Sequence, residues 1–209
     1  MGDALHEQGR VIVDVTKMQL AQAEPLLLFA ALQAEAGGWP WVKLAVCGGD
    51  RSFGSAFTSA VGGFVPLYGD PAEAAARLDD RPDRVWQHQH LARTSAAPSQ
   101  SRLFLTDICA AWQLPEELAE RAVLATSELV TNAVEHAQSE VDVWVDLDAD
   151  GLRVAVQDGS PALPIRRPSD HTNARGRGIA MVDRLADRWG VLPREDGKTV
   201  WILLRWPDS

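Results

Sequence analysis

Three short stretches of the chain carry side chains whose types and spacing could do chemistry. In Glu128-Leu129-Val130-Thr131-Asn132-Ala133-Val134-Glu135-His136, the residues Glu128, Asn132 and His136 recur every four positions. On a helix that spacing puts them on one stripe. A carboxamide oxygen one turn from a carboxylate suits a hard cation and its water, and the carboxylate can also take a proton. The same stretch also reads as the solvated polar side of a helix whose apolar stripe is Leu118, Ala122, Ala125, Leu129 and Ala133.

The second stretch, Val156-Gln157-Asp158-Gly159-Ser160-Pro161, ends an apolar run in an acid and a turn. Such an Asp commonly caps its own turn, or it could accept a hydrogen bond from an exocyclic amine such as that of adenine. The third, Arg175-Gly176-Arg177-Gly178-Ile179-Ala180-Met181-Val182, runs two glycines into an amphipathic helix. Bare amides at the positive end of a helix make an anion cradle, although a plain helix-starting turn has the same composition. The loop before it, residues 162–174, is long and polar, as lids often are. Arg166, Arg167, Arg175 and Arg177 could meet phosphate there or simply keep the loop soluble.

These residues need elements to position them. The 209 residues fit one large domain or two small ones, and 46% hydrophobic with 23% charged is a globular balance. In the first half, Val11–Val15, Lys43–Cys47 and Phe64–Tyr68 read as strands. Leu26–Ala36, Ser52–Val61 (with Ser52 as a possible cap) and Pro71–Leu78 (capped by Asp70) read as helices. That alternation predicts a small α/β layer with parallel strands. The charged DDRPDR run at 79–84 marks a boundary, so residues 1–82 and 83–209 are expected as two domains.

The second half has a different rhythm. Val85–Ala92 suggests an edge strand, Ala96–Ser101 a polar turn, and Ser101–Trp112 a helix. A long helix should start with Pro115 in its first position and reach about Ala137. Val141–Leu147 and Leu152–Gln157 alternate around Asp150-Gly151. Trp189–Pro193 and Thr199–Trp206 flank Asp196-Gly197, and Ile179–Asp187 is helical between the two hairpins. The expected fold is therefore α/β followed by α+β, the latter with helices on one face of an antiparallel sheet.

The bulk numbers exclude several classes. A net charge of -9 makes nucleic acid a poor partner. Met1–Arg10 is polar and acidic, unlike a signal peptide, and no apolar run approaches the roughly 20 residues of a membrane span. Cys47 and Cys109 sit among apolar neighbours without metal-site spacing and read as buried thiols. A cytoplasmic protein is the expectation.

The order of the three clusters, with the lid and hairpins between them, resembles the GHKL superfamily of ATP-binding domains. LATSELVTNAVEHA, VQDGSP, GRGIAMVDRLADRWGV and GKTVWILL are similar to bacterial anti-sigma regulatory factors, the serine/threonine protein kinases of partner-switching systems, over roughly Val85–Trp206. The resemblance implies a Bergerat-type α/β sandwich binding ATP and Mg²⁺. It makes Glu128 the catalytic base, Asn132 the Mg²⁺ ligand and Asp158, with Gly159, the adenine site. Arg175, Gly176, Arg177, Gly178 and Ile179 fall at the phosphates, and Thr199 would support the adenine pocket from the late strand. Ser160-Pro161 departs from the fuller pattern, which has a second glycine there.

The first half resembles a STAS domain, the fold of anti-sigma factor antagonists, with Val11-Ile12-Val13-Asp14-Val15 as its strand ending in Asp. The position of that family's phosphorylatable serine falls near Ala23 or Glu24, which have no hydroxyl, so a degenerate module is implied. The implied partners are a sigma factor and a STAS-domain antagonist, with a homodimer as the assembly. A non-catalytic nucleotide-binding scaffold is the alternative. A sensor histidine kinase would need a histidine on a long dimerisation helix, and none of the five histidines has that context. A metabolic enzyme built on the first half lacks a glycine-rich loop after its first strand.

Overall fold

The structure, a computed structural model, describes residues 9–18, 26–163 and 177–207, with Arg177 described in its backbone alone. The chain divides into two compact units, Met1–Gln87 and His88–Ser209.

In the first unit, β1 (Arg10–Asp14), β2 (Lys43–Cys47) and β3 (Leu67–Tyr68) form a three-stranded parallel sheet in that order. The helices α1 (Leu27–Glu35), α2 (Arg51–Val61) and α3 (Pro71–Arg77) connect and follow them. Leu44 and Val46 pack with Phe53, Phe57 and Val61 of α2, while Ala45 and Cys47 pack with Ala74 and Leu78. A strand buried on both faces is what a near-continuous apolar run such as Leu44-Ala45-Val46-Cys47 requires. Two local expectations need correction. Asp50, not Ser52, caps α2, its carboxylate accepting from the Phe53 amide at 2.8 Å. The third strand is two residues long instead of five. Asp70 caps α3 through the Ala72 and Glu73 amides.

The second unit carries the helices α4 (Ala97–Ala111), α5 (Glu116–Asn132) and α6 (Arg177–Leu185). Its sheet has the order β4 (Val85–Leu91), β5 (Val141–Asp148), β6 (Gly151–Asp158), β8 (Gly197–Arg205) and β7 (Arg188–Arg194). The two units part inside β4, which is an edge strand. The β5–β6, β6–β8 and β7–β8 pairs are antiparallel. Val141, Val143, Val145 and Leu147 are buried, as are Leu152, Val154 and Val156, and Val200, Ile202 and Leu204. This period of two sends one face of each strand inward, and α5 packs against β6 and β8. Leu118, Ala122, Ala125 and Leu129 of α5 are buried, as the apolar stripe requires. Burying each of the larger of these side chains is worth about 1.5–3 kcal/mol, so this layer holds the helix carrying Glu128 and Asn132 to the sheet carrying Asp158.

Several expected boundaries move. Helix α4 begins at Ala97, with Pro98 in its first turn, so the expected polar turn at 96–101 is largely helical. Pro115 is the extended residue before α5 and not its first helical position. Regular α-helix ends at Asn132, and Ala133–Ala137 form a single π-helical turn closed by Gln138 in the left-handed region.

Candidate nucleotide site

Glu128 and Asn132 lie one turn apart on the last turns of α5 and are both half-buried. His136, expected on the same stripe, belongs to the π turn and is exposed. The wider turn rotates it out of phase with its two companions. Gly178, in the first turn of α6, lies directly against both of the others. A β-carbon on it would stand 2.8 Å from Asn132 Nδ2, 3.1 Å from Glu128 Oε2 and 3.2 Å from Asn132 Oδ1. Only a glycine lets the start of α6 come this close. Asn132 Nδ2 is buried and has no hydrogen-bond partner among the described residues. Such a donor is costly to leave empty, and here it faces the backbone at the positive end of a helix.

Helix α6 is held at its other end as well. Arg121 of α5 donates from Nε to the Leu185 carbonyl at 2.8 Å and from a terminal nitrogen to Asp187 at 2.9 Å. The Asp187 carboxylate in turn accepts from the Arg205 amide of β8 at 2.8 Å. This arginine satisfies a carbonyl at the C-terminus of α6 and offsets the negative end of its dipole.

Asp158 closes β6 and is buried, 5% exposed. Its Oδ1 accepts from the Ser160 amide at 2.9 Å and from Lys198 Nζ at 2.9 Å, and Lys198 also donates to the Ser160 carbonyl at 3.1 Å. The Gly159 amide donates to Ser139 Oγ at 2.9 Å, tying this turn to the chain just after the π turn. Gly197 lies against the Asp158 carbonyl and Gly159 Cα, an approach that leaves no room for a β-carbon. Sequence reasoning missed Lys198 and Ser139. Lys198 stands opposite Asp158 in the β6–β8 register, a pairing of segments 40 positions apart that no local pattern reports.

The same register gives the place of Thr199. It pairs with Gln157, and because side chains alternate along a strand it faces away from Asp158, with Lys198 standing there instead. Ile179 is buried in α6. Arg175 and Gly176, together with Arg166, Arg167 and the side chain of Arg177, lie outside the described residues. So do Ala23 and Glu24.

The structure thus brings Glu128, Asn132 and Gly178 into contact and places the Asp158–Gly159 turn beside the segment that follows the π turn. Among the described residues, no group of three or more His, Cys, Asp or Glu could hold a metal ion. A cation here would depend on the Asn132 oxygen together with oxygens brought by a ligand.

The histidine kinase-like ATPase domain family matches residues 91–204, more than half of the chain. The chain belongs to that family. Its mixed fold, with helices on one face of a five-stranded sheet, is the corresponding α/β sandwich. An uncharacterized protein of Streptomyces coelicolor is 33% identical over 79 residues, covering 35% of this chain and 75% of that protein. The crystal structure of the RsbU and RsbW domains of Rv1364c from Mycobacterium tuberculosis is 24% identical, with a TM-score of 0.46 over 57% of this chain. The chain spans only 32% of that solved chain, and a likeness at that level adds nothing to the family match. Among the described residues, no helix is long and apolar enough to cross a membrane.

Proposed function

We propose that the second unit binds ATP with Mg²⁺ and works as a serine/threonine protein kinase of the anti-sigma regulatory type. In this reading it phosphorylates a STAS-domain antagonist and thereby controls a sigma factor. The contact of Gly178 with Asn132 and Glu128 carries the proposal. It puts helix-end amides, a carboxamide with an unpartnered donor and a potential base within one small volume. Asn132 Oδ1 would meet the cation, and the buried Nδ2 suits a phosphate oxygen. Asp158 would take the base amine, and Glu128 would accept the proton of the incoming hydroxyl. Bound Mg²⁺–ATP supplies the phosphoryl group, and the cation offsets its charge.

The parallel strands of the first unit, ending in Asp14, support reading it as a STAS-like module. With no serine near Ala23 or Glu24, it would regulate and not serve as substrate. The site as described suits a nucleotide-binding scaffold equally well up to the transfer step. Calorimetric titration with ATP, with and without Mg²⁺, on wild type and Asn132→Ala tests binding. The expected result is a loss of the Mg²⁺-dependent part in the variant, and unchanged affinity removes the metal role from Asn132. Incubation with γ-labelled ATP and a STAS antagonist then separates the readings: label on the antagonist identifies a kinase, and binding without transfer identifies a scaffold.

A further inference from the structure

Lys198 has no role in the reading above, yet among the described side chains it is the one buried lysine or arginine. Its side chain is 10% exposed and that of its partner Asp158 only 3%. It directs two donors at fixed targets, Asp158 Oδ1 at 2.9 Å and the Ser160 carbonyl at 3.1 Å. The Ser160 amide adds a second bond to the same carboxylate oxygen. With Oδ1 engaged twice, the carboxylate cannot rotate about its axis without breaking both bonds. Its other oxygen, Oδ2, has no hydrogen-bond partner among the described residues. A pinned carboxylate with one open oxygen is a directional acceptor, whereas a free aspartate would present either oxygen over a range of angles.

We infer that Lys198 is a positioning residue for base recognition: by holding Asp158 Oδ1 and the Ser160 carbonyl together it aims Asp158 Oδ2 at the exocyclic amine of the nucleobase. This rests on the proposed nucleotide site and adds to it the group that gives the site its preference for an amine-bearing purine. A pair that merely kept β6 and β8 in register would leave that preference untouched. A lysine that competed with the amine would weaken binding, and its removal would tighten it.

The test compares ATP with purine riboside 5′-triphosphate, which has the same triphosphate and ring system but lacks the exocyclic amine. Both are titrated with Mg²⁺ into the full chain, as wild type, Lys198→Met and Lys198→Arg. Wild type should favour ATP by about tenfold or more, the scale of one hydrogen bond to a charged group. In Lys198→Met the two affinities should converge through loss of ATP affinity alone, and Lys198→Arg should recover most of the difference. Thermal unfolding of each variant shows whether it is folded, and if Lys198→Met is not, Lys198→Gln, which removes the charge but keeps a polar end, takes its place with the same expected convergence. A wild type that binds both ligands equally, a methionine variant that keeps its preference, or one that binds ATP more tightly overturns the inference and leaves the nucleotide site standing. A wild type that binds neither ligand removes both.

Discussion

The α-carbon of Gly178 lies against the carboxamide of Asn132, so close that a β-carbon would stand 2.8 Å from Nδ2 and 3.2 Å from Oδ1. The atoms it would displace are the ends of two side chains, Asn132 and Glu128, and not backbone. Gly178→Ala should therefore fold with only about 1 kcal/mol lost, the low end of overpacking costs. Its ATP affinity should fall by about tenfold or more, because the displaced groups are those proposed to hold the ligand. Chemical denaturation and nucleotide titration on the same sample check this. Binding as tight as wild type would show that the close approach is packing alone.

Asn132 gives the complementary result. Its Nδ2 is a buried donor without a partner among the described residues, and such a group costs about 1–3 kcal/mol. Asn132→Leu should leave the ligand-free protein as stable as wild type or more so, while removing Mg²⁺-dependent nucleotide binding. Thermal unfolding with and without Mg²⁺–ATP reads both effects. A clear drop in ligand-free stability would mean that Asn132 is a structural residue.

The edge of the sheet should respond to pH. His88 Nε2 lies 2.8 Å and His90 Nδ1 3.1 Å from Asp142 Oδ1, with Glu140 3.5 Å from His90 and the Trp144 ring stacked on His88. The bond to Asp142 raises the His90 pKa above its ordinary 6.5, against a smaller desolvation effect. For Asp142, burial pushes upward, but the bonds from His88 and His90 outweigh it and the net shift is below 3.8. The His90 contribution is fully present below pH 6.5 and fades as pH rises through its folded value. The Asp142 contribution is present above pH 3.8 and fades as pH falls through its own. Pairing of β4 with β5 should be tightest between those limits. Amide exchange of the two strands, with an NMR titration of His90, measures it. A His90 that titrates like a free peptide histidine refutes the clamp.

Arg121→Ala removes the side chain that joins α5 to the end of α6 and to Asp187. The pair is partly exposed, 26% and 37%, so screening reduces its worth. About 1–2 kcal/mol of destabilisation is expected from the lost carbonyl and carboxylate bonds. Exchange protection should drop first in α6. Unaltered α6 protection would show that its packing on α5 suffices.

Much of this architecture is visible in the chain as written. Val141, Val143, Val145 and Leu147 alternate, and the structure buries all four. Lys43–Cys47 was expected as a strand and is one, and Asp70-Pro71 opens a helix. These features depend on residues a few positions apart, so local periodicity reports them. The end of α5 was not visible: nothing in Ala133–Ala137 distinguishes a π turn from another α turn, and the difference moves His136 off the stripe of Glu128 and Asn132. Ser52 was a plausible cap, but Asp50 took the role because the chain leaves β2 through two glycines with positive φ before turning into α2.

The candidate site divides in the same way. Which residue types were on hand, in what order, and on helix, strand or turn could all be read from Glu128, Asn132, Asp158 and Gly178 before any coordinates. That Gly178 touches Asn132 across 46 positions, that Lys198 and not Thr199 stands beside Asp158, and that Ser139 holds Gly159 could not. Such contacts join segments far apart in the chain. A one-residue change in strand register, or a few degrees of helix rotation, exchanges one neighbour for another while leaving every local pattern intact.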